Sequence, residues 1–313
     1  MGTVYTIIPR GLQMYKVRDI ELELSTYCNA DCPLCYRNYN SFDEHYPDKF
    51  HRPLQSIREQ ILRYPDLEWI RLVGSISEPT MYNKFLELVD FIKSRNIKIE
   101  LCTNGSTRDV FWWRSLSKKL TKEDSVYFTI CGSTQELHET YRVGTSLDKI
   151  LKNANAYRIS SDNNNDYAQC IRFDYNDNDF NSDEFKEMVS DFTNVYMTET
   201  FLLKDSSNYV NKYNLNKLKP YPGKIEAYET VEKIANLKFN KGLSKVATCK
   251  AYNENRLQID VNGNEYPCYL TLEAQIDPYW TWEEILSMKY NACKFCEKSI
   301  VTLCDEKDLD FII

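Results

Sequence analysis

The stretch ELSTYCNADCPLCYR, residues 23–37, gathers Cys28, Cys32 and Cys35 within eight residues, and no further cysteine follows until Cys102. It comes directly after a β-like run, RDIELELS, so the thiols fall on a loop at the C-terminal end of a strand, where α/β folds keep their chemistry. Three thiolates hold three irons of a four-iron cubane. The fourth iron is then open to a substrate or cofactor, as a catalytic zinc keeps one coordination place open. A structural zinc knuckle is the competing reading, and it asks for a fourth ligand nearby.

Outward from this loop the chain alternates short β-like runs with amphipathic helical ones. RDIELELS, LEWIRLVGS, IKIELCTNGS, SVYFTICGS, YAQCIRFDY and NVYMTETFLL read as strands. FHRPLQSIREQILRY, MYNKFLELVDFIKSRN, RDVFWWRSLSKKL, LDKILKNANAYRIS and SDEFKEMVSDF read as the helices between them. Six strands separated by helices predict an α/β fold, a parallel sheet with the helices outside, either open or curled into a partial barrel. This core spans residues 18–204 behind an N-terminal extension, 1–17. Residues 205–245, polar, Asn-rich and proline-bearing, read as a linker. In the last part, 246–313, two β-like runs flank Asn262-Gly263, a strong hairpin signal, and a short helix runs into a Cys-x-x-Cys knuckle.

Composition narrows the function. The net charge of −7 argues against nucleic acid as a partner. No apolar run is long enough to span a membrane, and the N-terminus lacks the apolar core of a signal peptide, which makes the cytoplasm the expected compartment. There disulfides are a poor use for eleven cysteines. With only three histidines, none paired at helical spacing, a histidine-built zinc enzyme is nearly excluded.

The C-x3-C-x2-C loop after a first strand resembles that of the radical S-adenosylmethionine (SAM) superfamily, whose core is a partial (β/α)6 barrel. Further motifs follow in order. VGSISEPTMY (73–82) closes the second strand where the family has a Gly-Gly-Glu-Pro-like turn; Glu78 and Pro79 match, while Ser77 replaces a glycine beside Gly74 and Ser75. TNGS, with Asn104, ends the third strand. FTICGSTQELHETYR (128–142) stands where the family has a Ser-Ile-Asp-Gly turn followed by His and Arg. The resemblance implies a [4Fe-4S] cluster on Cys28, Cys32 and Cys35, with SAM on the unique iron. Its ammonium would meet the turn bearing Gly74, Ser75, Ser77 and Glu78, and Thr129 and Arg142 are candidates for its carboxylate, an anion that suits a guanidinium. Leu34 departs mildly from the aromatic residue frequent before the last cysteine.

Cys249, Cys268, Cys293 and Cys296 resemble the Twitch domain, the shortened SPASM domain, which carries one auxiliary [4Fe-4S] cluster beside a β-hairpin; a zinc ribbon is the alternative, and Cys304 reads as a spare thiol. Strand alternation puts Ile20/Leu22/Leu24, Ile70/Leu72, Ile99/Leu101 and Ile171/Phe173 toward the helices. It turns Glu21/Glu23, Arg71, Lys98/Glu100 and Arg172/Asp174 inward, to pair with one another or with a polar substrate. Cys131 replaces the aspartate of the Ser-Ile-Asp-Gly turn and shares the face of Thr129, so it is either a small buried hydrophobe or a hydrogen-atom donor to a substrate radical. The implied protein is a radical SAM oxidoreductase acting on a peptide, a protein or a polar small molecule, by oxidation or cross-linking, with flavodoxin or ferredoxin as electron donor. Epimerisation or dehydrogenation of a peptide or aminocyclitol-type sugar is the second reading, and a non-catalytic zinc or iron–sulfur binding protein the third.

Overall fold

The computed structural model describes residues 17–38, 46–160, 165–199, 218–219, 246–249, 256–266 and 299–302. Six strands run in chain order: β1 (Asp19–Leu22), β2 (Trp69–Leu72), β3 (Lys98–Thr103), β4 (Ser125–Thr129), β5 (Asp166–Arg172) and β6 (Asn194–Glu199). They pair side by side and in parallel in the order β6-β5-β4-β3-β2-β1. Between them lie α1 (Leu54–Leu62), α2 (Phe85–Lys93), α3 (Val110–Ser117), α4 (Gln135–Tyr141), α5 (Leu147–Arg158) and α6 (Asp183–Met188). The sheet is open, as the partial barrel of the sequence reading requires. The hairpin expected around Asn262-Gly263 also forms, from β8 (Arg256–Ile259) and β9 (Glu265–Tyr266). Its first strand joins the main sheet in parallel beside β1, with Asp19 opposite Arg256 and Leu22 opposite Ile259. β7 (Val246–Cys249) and β10 (Ser299–Thr302) form a separate antiparallel pair.

Local chemistry places the helices. α3 is capped by Asp109, whose side chain accepts the Trp112 N–H; Thr134, Ser146 and Ser182 cap α4, α5 and α6 in the same way. The helix-facing side of the sheet, Ile20, Leu22, Ile70, Leu72, Ile99, Leu101, Val126, Phe128, Ala168 and Cys170, packs on Ile57, Leu88, Trp113, Leu116, Ile150 and Tyr157 as one core. Trp113 is fully buried, its ring 5.0 Å from that of Phe128. Asp124, 0% exposed, accepts Lys93 Nζ (2.7 Å), the Ile99 N–H (2.7 Å) and Thr121 Oγ1 (2.9 Å), which fixes the lead into β4 against α2 and β3.

The opposite face is polar on β1 to β3, as alternation predicts. On its N-terminal side the charges pair internally: Arg71 Nε donates to Asp19 Oδ2 (2.8 Å), Arg71 Nη1 to Glu100, and Arg256 Nη2 to Asp19 Oδ2 (3.3 Å). On β5 the phase is the reverse of the sequence reading. Ala168 and Cys170 face the helices, while Ile171 and Phe173 pack with Cys131 on the other side, and Arg172 turns to Asp177 at the strand end. The cause is the run AQCIRF, whose two apolar pairs fit either phase; the small residues go against the helices.

Among the described residues no helix is long and apolar enough to cross a membrane. Replacing Trp113 by alanine is expected to cost about 3–5 kcal/mol in urea unfolding. Phe111, on the same helix but 70% exposed, is expected to tolerate alanine within about 0.5 kcal/mol.

Candidate active site

After β1 the chain leaves the sheet through Ser25 and Thr26 and enters the cysteine loop. The loop folds back on itself: the Cys35 N–H donates to Cys32 O (3.0 Å), the Asn38 N–H to Cys35 O (2.8 Å), and Asn38 Nδ2 to Cys32 O (2.8 Å). Arg37 Nη1 ties its base, donating to Thr26 O (2.7 Å) and Ile76 O (2.8 Å). The three cysteines pack with Ala30, Cys131, Tyr141, Phe173 and Leu218 in an apolar cluster apart from the main core. Burial pushes the Cys28 thiol up to about 12, with the Glu78 carboxylate and the other two thiols adding to it. Burial and the charge of Cys32 push Cys35 up to about 11. Near neutral pH these two thiols therefore keep their protons until a metal takes the proton's place.

Among the described residues no three His, Cys, Asp or Glu side chains converge on a single-ion position. A cubane makes a different demand, because each thiolate binds a different iron. Three thiols on one loop, packed in one apolar cluster, fit that demand.

Glu78 organises the next two strand ends. It is 3% exposed, and its Oε1 accepts from Thr80 Oγ1 (2.6 Å) and Thr103 Oγ1 (2.6 Å), its Oε2 from the Asn104 N–H (2.7 Å). Its own N–H donates to Tyr27 O (2.8 Å), one residue before Cys28. Gly74 reaches this turn at φ +66, and a Cβ there would lie 2.2 Å from Ser77 O, so no other residue fits. Ser77 Oγ donates to Glu23 Oε2 (2.9 Å), and Ser75 Oγ lies 3.4 Å from Glu21 Oε1. Asn104 Nδ2 donates to Asn29 Oδ1 (2.8 Å), joining the end of β3 to the cysteine loop.

From the end of β4, Thr129 Oγ1 donates to Gln169 Oε1 (3.3 Å). Cys131, 0% exposed, gives its N–H to His138 Nδ1 (3.1 Å), and its carbonyl accepts from Asn176 Nδ2 (3.1 Å). Arg142 caps α4 and directs Nη1 at Cys32 Sγ (3.4 Å).

Cys28, Cys32, Cys35, Glu78, Asn104, Cys131 and Arg142 are thus gathered at one edge of the sheet. The hydroxyls of Ser75, Ser77 and Thr129 lie there too, each engaged by a protein side chain. Cys249 closes β7; of its side chain nothing is described, and Cys268, Cys293, Cys296 and Cys304 lie outside the described residues. The sequence reading missed Asn29, Thr145 and the roles of Glu23 and His138. The spacing of His138 and Arg142, four residues apart along TQELHETYR, is the one signal that marked such a pair.

Residues 22–165 match the model of the radical SAM superfamily. A tungsten-containing aldehyde ferredoxin oxidoreductase cofactor-modifying protein of Pyrococcus furiosus is 26% identical over 115 residues, covering 35% of this chain and 29% of that protein. The chain thus matches less than a third of that relative's length. Among solved structures, SuiB of Streptococcus suis bound to S-adenosylmethionine superposes with a TM-score of 0.59 at 14% identity, covering 90% of this chain and 72% of SuiB. anSMEcpe with bound AdoMet gives 0.54 at 18% identity, covering 90% and 83%. These likenesses establish the fold.

Glu23 supplies a test of the site's electrostatics. Burial raises its carboxyl to about 7, against hydrogen bonds from Ser77 and Ile76 that favour the charged form, and the nearby Glu21 adds to the rise. The folded state then holds a proton that the unfolded chain releases near 4.5, so this group's contribution to stability falls as pH climbs from about 4.5 through about 7. Glu23→Gln is expected to flatten the loss of stability between pH 5 and pH 8 in urea titrations. An unchanged slope would show that Glu23 is ionised throughout.

Proposed function

We propose that the chain, whose residues 22–165 match the radical SAM model, is an enzyme that cleaves S-adenosylmethionine reductively to modify a peptide or protein side chain, by oxidation or cross-linking. The observation that carries the reading is the placing of Cys28, Cys32 and Cys35 on a folded-back loop pinned to the ends of β2 and β3 through Tyr27–Glu78 and Asn29–Asn104. When bound, the [4Fe-4S] cluster supplies the electron that splits the sulfonium and leaves a 5′-deoxyadenosyl radical able to abstract hydrogen. Cys28, Cys32 and Cys35 hold the cluster. The Gly74–Glu78 turn and Asn104 form the wall beside it, and Arg142 offers N–H groups to the SAM carboxylate. The four thiols of Cys249, Cys268, Cys293 and Cys296 serve an auxiliary cluster, and a flavodoxin or ferredoxin is the electron source.

A peptide substrate is supported by two related folds: SuiB has been solved bound to its precursor peptide SuiA, and anSMEcpe with AdoMet and the Cp18Cys peptide. A second reading rests on Cys131. It is buried in the same apolar cluster as Cys32, a place from which its S–H could deliver a hydrogen atom to a substrate radical in an epimerisation. Cys131→Ala separates the two, because it abolishes epimerisation and spares oxidation or cross-linking.

Anaerobically prepared protein is expected to hold about eight irons in two four-iron clusters and to release 5′-deoxyadenosine from SAM after dithionite reduction. Joint replacement of Cys28, Cys32 and Cys35 by alanine should abolish that release. Replacing the Cys249 set should halve the iron and leave uncoupled cleavage. Release that survives in the first variant would refute the assignment, and so would stoichiometric zinc without cleavage in the unaltered protein.

A further inference from the structure

We propose that Arg142 is a tuning donor to the Cys32 thiolate, and that His138 and Thr145 are the residues that hold it there. The inference rests on the assignment of a cluster to Cys28, Cys32 and Cys35. It concerns the N–H of the guanidinium aimed at Cys32; the same guanidinium also meets the Cys131 thiol.

Arg142 lies at the end of α4, with Nη1 3.4 Å from Cys32 Sγ and its guanidinium carbon 5.5 Å from the Tyr141 ring centre. Its Nε is shielded from water and has no partner among the described residues. Two further observations set the same segment against the cysteine loop: the Asp31 N–H donates to Val143 O (2.9 Å), and a Cβ added at Gly144, at φ +81, would stand 3.2 Å from Asn29 O. Residues 142–145 therefore form a clasp over the loop that carries Cys28 and Cys32.

A hydrogen-bonded chain sets the clasp. The Cys131 N–H donates to His138 Nδ1 (3.1 Å), which makes Nδ1 the acceptor and leaves the ring proton on Nε2. Nε2–H then donates to Thr145 Oγ1 (2.8 Å), and Thr145 Oγ1–H donates to Arg142 O (2.7 Å). His138 is fully buried. Burial first, and the charge of Arg142 second, push its pKa down to about 3, so the ring stays neutral and the direction of the chain is fixed. Gly132 lets α4 approach this closely, since a Cβ there would stand 2.4 Å from Leu137 Cβ. The chain links the end of β4 to the carbonyl of the residue whose side chain touches Cys32.

A cationic N–H donor on a cluster thiolate stabilises the more negative, reduced cluster and raises its potential. The test is a redox titration, monitored by electron paramagnetic resonance, of the signal that changes when SAM is added. Arg142→Gln is expected to lower the reduction equilibrium constant about tenfold, ~59 mV for one electron. Arg142→Lys, which keeps the charge but not the planar fork, is expected to fall between. His138→Ala should shift the potential in the same direction, and Thr140→Ala, half-buried on the same helix with its hydroxyl bonded to Glu136 O, should leave it unchanged. A potential unmoved in both Arg142 variants would overturn the tuning role, and one unmoved in His138→Ala would overturn the positioning role. If the unaltered protein has no SAM-responsive signal, it is the cluster assignment that fails.

Discussion

A single carboxylate holds the strand ends of this protein together. Glu78 accepts from Thr80, Thr103 and Asn104, and its own N–H reaches Tyr27 just before the cysteine loop. Hydrogen bonds to a charged acceptor contribute about 1.5–3 kcal/mol each, and the buried donors would be orphaned without it. β1, β2 and β3 therefore end in one fixed relation, and the cysteine loop starts from that relation. Gly74 is bound to the same turn, because only a residue without a Cβ can enter it.

Around this anchor the polar face of the sheet divides in two. On its N-terminal side Asp19, Arg71, Glu100 and Arg256 neutralise one another, and their charge serves the fold. On its C-terminal side the thiols, Glu78, Asn104, Cys131 and Arg142 gather, with the cysteine loop held at its base by Arg37 and on its far side by the 142–145 clasp. The carboxyl of Glu23, raised by burial, accepts from Ser77 Oγ and the Ile76 N–H.

Much of this was legible in the chain. The C-x3-C-x2-C loop, the Glu-Pro turn and Thr-Asn-Gly each carry their signal locally, and so does the Asn-Gly hairpin, which forms as read. What sequence could not supply was the partner of each side chain. Ser75, Ser77 and Thr129 looked free for a ligand, yet they bond to Glu21, Glu23 and Gln169 on neighbouring strands, residues far away in the sequence. The phase of β5 was misread because Ala168/Cys170 and Ile171/Phe173 are both apolar sets that suit either face, and packing against the helices decided it. α4 was read only as a turn followed by His and Arg. Seven residues with a Thr cap form a helix there because Gly132 lets it pack tightly, a tertiary cause with no periodic trace.

The central claim is that the three thiols leave one iron for the amino-acid end of SAM. Electron–nuclear double resonance on the reduced protein with SAM labelled with nitrogen-15 at its amino group addresses that iron directly. The account predicts a nitrogen hyperfine coupling of a size that requires coordination to iron. A cluster that is loaded and reduced in the presence of bound SAM, yet shows no such coupling, would contradict it.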